Sequence, residues 1–113
     1  NGREFLVVHA GYVDNLEEVD TEDSFETIEE FYMNARDDAY MCGGFQGGVV
    51  IAGHTPTIIE NELPYNNGDV YCFYDEETDC KFYDIDCGCA YKEKSRAAKL
   101  ACIRLEDEKI FYI

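Results

Sequence analysis

Two short apolar runs, FLVV at residues 5–8 and VVIA at residues 49–52, constrain this chain most. Each is continuous, rich in β-branched residues and closed by a glycine-bearing turn, which is the pattern of a strand buried in a sheet. The only two histidines stand at the C-terminal ends of these runs, His9 in LVVHAG and His54 in VIAGHT. If the two strands are parallel neighbours, both imidazoles meet on one edge of the sheet. That edge, outside the carboxyl ends of the strands, is where open α/β sheets bind ligands. Glycines beside the histidines would let the backbone leave the strands sharply and leave room for an ion.

The rest of the chain fits around this pair. In TEDSFETIEEFYMNARDD, residues 21–38, Phe25, Ile28 and Tyr32, and more loosely Phe31 and Ala35, fall on one helical stripe, with Thr21 or Ser24 as candidate cap and acids in the first turn. The segment from His54 to Gly68 is polar and turn-rich and reads as loop. VYCFYDEETDCKFYDIDCG and KLACIRLEDEKIFYI each read as a hairpin, turning across residues 75–79 and 106–109. The expected fold is α+β: a mixed sheet with hairpins and one main helix, in a single domain, as 113 residues allow.

Nine Lys and Arg against twenty-five Asp and Glu give a formal charge of -16. Such a chain repels phosphate backbones and anionic lipid, so neither nucleic acid nor membrane is an expected partner. No apolar run approaches the ~20 residues of a membrane span. The six cysteines, Cys42, Cys72, Cys80, Cys87, Cys89 and Cys102, mostly lie inside apolar strand patterns, where a free thiol behaves as a small hydrophobe. Reduced thiols and a cytoplasmic location are the expectation, with disulfides or a zinc site at Cys87 and Cys89 as alternatives.

Three further features could carry chemistry. Arg36, near the end of the helical stripe, has the forked guanidinium suited to a phosphate, or to an ion pair with a neighbouring acid. Asp84 and Asp86 alternate in KFYDIDCGC, so both would face one side of a strand. GGFQGG, residues 43–48, precedes a strand; a phosphate loop follows one, so these glycines are a flexible connection.

The succession VVHAG, NARDDAY, VVIAGHTPT, DIDCGCAY and KLACIRLEDEKIFYI resembles the second half of calcineurin-like metallophosphoesterases, most closely the bacterial and phage type of serine/threonine protein phosphatase. The resemblance implies a two-sheet β sandwich flanked by helices, with two divalent ions, manganese, iron or zinc, at one edge. His9 and His54 then resemble two histidine ligands of one of those metals. Arg36 resembles the arginine that grips the substrate phosphate, although Met33 and Asn34 stand where an aromatic precedes it in the family. Asp86 matches an acid that supports the site without ligating.

The family's D-x-H, G-D-x-x-D and G-N-H-E elements, which supply the other ligands and the catalytic acid–histidine pair, do not occur in this sequence. The expectation is therefore the C-terminal portion of a metallophosphoesterase domain, a fragment, inactive or nearly so by itself, with no catalytic residue of its own. The chain begins at Asn1 without a methionine, which agrees with that expectation. The parent activity implied is hydrolysis of phosphoserine or phosphothreonine in proteins. Alternatives are a hydrolase of small phosphate esters or dinucleoside polyphosphates, and a non-catalytic acidic β-rich interaction domain. Half a sandwich would leave sheet surface uncovered, so a homo-oligomer is expected as well.

Overall fold

Both apolar runs form strands, β1 over Phe5–Val7 and β2 over Val49–Ala52, paired in parallel with Phe5 opposite Val49. These and the following observations come from a computed structural model, which describes residues 3–13, 16, 25–36 and 45–113. Among the described residues between the strands lies one short helix, α1, over Ile28–Asn34. The two C-terminal hairpin patterns become β3 over Tyr71–Asp75 with β4 over Cys80–Asp84, and β5 over Ala101–Arg104 with β6 over Lys109–Tyr112. The main sheet runs β1-β2-β4-β3, with β1, β2 and β4 parallel and β3 antiparallel at the end. The chain is thus an α+β domain with a mixed sheet and, among the described residues, six strands and one α-helix.

Every residue of β2 is buried, as its continuous apolar run requires of a strand covered on both faces. Its alternation divides the core. Val50 and Ala52 pack with Phe82, Phe31 and Ala35 beneath α1, whereas Val49 and Ile51 pack with Tyr83, Val70 and Cys87. Ala101, Ile103 and Ile110 of the β5–β6 hairpin close that second face. Polar ties fix the hairpin there: Lys81 Nζ and Tyr83 OH both donate to Glu108 Oε1 at 2.8 Å, and Tyr112 OH accepts from the Val70 N–H at 3.0 Å. Lys99 adds an ion pair to Asp69.

α1 is shorter than the apolar stripe suggested, and its cap is Thr27, whose hydroxyl accepts from the Glu30 N–H. Glu29 and Glu30 then sit in the first turn, where the helix dipole favours acids. Thr21 and Ser24, the expected caps, lie outside the described residues. Phe25 precedes the helix and meets Phe31 edge to face at 5.2 Å. The five described cysteines are free thiols, and Cys42 lies outside the described residues.

The long loop after β2 closes on the turn before β5 at Gly68. With φ +82 its ideal Cβ would come 2.1 Å from the Ala97 carbonyl oxygen, so only glycine fits that approach. Its N–H and that of Asn66 both donate to the Thr57 carbonyl, at 3.2 and 2.9 Å.

Candidate functional site

Three consecutive parallel strands deliver one residue each to the C-terminal edge of the sheet: β1 leads to His9, β2 to His54 and β4 to Asp86. The two imidazoles meet, His9 Nε2 lying 3.1 Å from His54 Nδ1 with ring centroids 4.9 Å apart. One facing nitrogen must carry a proton and the other a lone pair.

The local backbone explains how His54 reaches its neighbour. Its φ is +76, and the Thr55 N–H donates to the Gly53 carbonyl at 2.9 Å, so His54 is the apex of a three-residue γ-turn. A bulky residue in that conformation costs about 1–3 kcal/mol and persists only where the surroundings enforce it. Here the Gly53 N–H donates to the His9 carbonyl, and the Thr57 N–H to the Asp86 carbonyl, each at 2.9 Å. The strain therefore falls on the histidine. Gly53 needs no glycine-only conformation, and a Cβ there would make only ordinary contacts, 3.6 Å from the Asp86 Cβ. The sharp departure expected of the glycine is made by His54 itself.

Asp84 and Asp86 part company. Asp84 is fully buried at the end of β4, and its Oδ1 accepts from the Asp86 N–H at 2.9 Å. Asp86 is half-buried and accepts from the Gly88 N–H at 3.1 Å. The two are therefore successive turn acids, and Asp86 is the one electrostatically coupled to His54. Arg36 is exposed just past the end of α1, and its charge also reaches His54. His9 and His54 are thus in direct contact, while Arg36 and Asp86 act on His54 through their charges. Thr57, whose backbone links the histidine loop to Asp86 and to the Asn66–Gly68 turn, is a positioning residue that no spacing in the sequence signalled. Cys87, next to Asp86, is buried, and burial pushes its thiol up to about 11, so it is no nucleophile at neutral pH.

Burial holds the His54 pKa below its ordinary value of 6.5; Arg36 and His9 add to this, and Asp86 opposes it. The folded chain therefore favours the neutral ring, the form that can ligate a metal. Because the unfolded chain takes up this proton more readily, the associated stability is complete above about pH 6.5 and is lost as pH falls through the lowered folded value. Urea midpoints measured between pH 7.5 and 5 should fall with acidity, and should fall less in His54→Gly.

The nitrogen pair fits a shared ion. Two nitrogens 3.1 Å apart, each about 2.05 Å from one cation, subtend roughly 98° there, between octahedral and tetrahedral values. The donor set is short: among the described residues no group of three or more His, Cys, Asp or Glu gathers to hold a metal. No helix of the described residues is long and apolar enough to cross a membrane. No protein-family model matches this chain, and neither a curated protein nor a solved structure was found to be similar to it.

Proposed function

We propose that this chain carries one side of a dinuclear metal-dependent phosphoesterase site and is the C-terminal portion of a metallophosphoesterase domain. The observation that supports this most is the meeting of His9 Nε2 and His54 Nδ1 at 3.1 Å on the carboxyl edge of parallel strands. His9 and His54 would hold one divalent ion, manganese, iron or zinc, through the two facing nitrogens. Such an ion polarises a phosphoryl oxygen and stabilises the charge that develops on it. Arg36 would grip the remaining phosphoryl oxygens, and Asp86 would restrain His54 through the loop bond to Thr57. Phosphoserine and phosphothreonine in proteins are the proposed substrates of the complete domain.

Two nitrogens cannot close a catalytic shell, so the other ligands must come from sequence beyond these motifs. Hydrolysis of p-nitrophenyl phosphate by this exact polypeptide with added manganese should stay near background; robust turnover would overturn the half-site reading. Paramagnetic broadening by manganese should centre on His9 and His54. The scarcity of donors among the described residues favours a second reading, a non-catalytic acidic module that retained only the sheet. If neither histidine is broadened at millimolar manganese, that second reading stands and the metal reading falls.

A further inference from the structure

At the opposite end of β1 from His9, a cleft of about 490 Å³ is lined by Glu4, Phe5, Leu6, Tyr12, Tyr32 and Phe45. Its size falls among those of ligand clefts, about 300–1,000 Å³. Tyr12 is the centre of its aromatic wall: it stacks on Tyr32 at 5.7 Å with 23° between planes and meets Phe45 edge-on at 5.9 Å. A cation placed over the outer face of any of these rings is attracted by its quadrupole. Glu4 is exposed and adds a carboxylate, while among the described residues no basic side chain lines the cleft. The nearest cation in sequence, Arg3, is turned away toward the Gly48 and Asp79 carbonyls at 3.4 and 2.8 Å.

The geometry points to a binding site for an arginine side chain of a partner polypeptide. A guanidinium suits both halves of the cleft, since its plane stacks on an aromatic face while its fork pairs with a carboxylate; an ammonium does only part of this. A polypeptide, as distinct from a free guanidinium compound, is favoured by the strand beside the cleft. Among the described strands β1 ends the sheet, and the pairing of the Glu4 carbonyl and the Val8 N–H with β2 turns the backbone groups of Phe5 and Val7 away from β2. Among the described residues no strand pairs with that edge, so an extended segment could lie along it while its arginine enters the cleft. A chain of net charge -16 also draws basic partners to its surface. The site is independent of the histidine pair and needs no metal.

The test is titration of the full chain with the capped pentapeptide GGRGG, followed by NMR of the tyrosine rings, alongside the same peptide with lysine or citrulline in place of arginine. Shifts should centre on Tyr12 and Tyr32, with arginine binding best and citrulline worst. Glu4→Gln should weaken binding about threefold and Tyr32→Leu about fivefold. Glu76→Gln, at the exposed β3–β4 turn, removes the same charge elsewhere and should leave binding unchanged. The proposal is overturned if citrulline binds as well as arginine, or if Glu76→Gln weakens binding as much as Glu4→Gln. Tetramethylammonium binding more tightly than GGRGG would overturn the polypeptide assignment in favour of a small cation.

Discussion

If His9 and His54 hold a metal as proposed, replacing His54 by glycine is expected to reduce cobalt or zinc affinity by at least about 100-fold, because partners that merely support a ligand are already worth ~10–100-fold. The same substitution should leave the metal-free chain more stable than His54→Ala by roughly 1–2 kcal/mol. Both variants lose the imidazole and its 3.1 Å contact with His9. They differ in the γ-turn, where φ +76 strains alanine as it strains histidine but suits glycine. Visible spectra of cobalt titrations report the first effect and urea midpoints the second. Under the proposed metal reading, the costly conformation at His54 is kept because the imidazole binds the ion. Equal stability of the two variants would show that the turn carries no strain, and unchanged cobalt binding would remove His54 from the site.

Phe82→Ala should cost about 3–5 kcal/mol, the usual range for emptying a buried phenylalanine site. Phe82 is fully buried in β4, packed among Val50, Ala52 and Phe31, so it joins the sheet to the helix. Against a total stability of about 5–15 kcal/mol for a domain, such a loss removes roughly a fifth or more of the total, and nearly all of it at the low end of that range. Val7→Ala, on a side chain 68% exposed, should shift the urea midpoint hardly at all. A loss below about 1 kcal/mol in Phe82→Ala would mean that the face under α1 is loosely packed. Because β4 also leads to Asp86, weakened metal binding in this variant at temperatures where it remains folded would tie core packing to the site.

Local pattern made several parts of this molecule legible. A continuous VVIA run between glycines can be satisfied only by burial on both faces, and β2 is buried along its whole length. The alternating runs around residues 75–79 and 106–109 carry their own turns, so both hairpins stand where the residues place them. Histidine at the end of two such runs was visible too. Less legible was the helix boundary: the stripe includes Phe25, but Thr27 offers the cap and Phe25 packs on Phe31 from outside the helix. Asp84 and Asp86 were expected to share one face because strand alternation was extended past the point where β4 ends.

Sequence by itself determined which segments must be strands and which chemistry stands at their ends, since burial and turn formation depend on near neighbours. Only the tertiary structure decided that β1 and β2 are adjacent and parallel, which brings two imidazoles forty-five residues apart to 3.1 Å. It also decided that the sharp turn falls on His54, because hydrogen bonds from Gly53 to His9 and from Thr57 to Asp86 hold that loop from both sides. Those bonds join three separate strand ends, and no local rule of conformation can specify a contact whose partners meet only when the sheet is assembled.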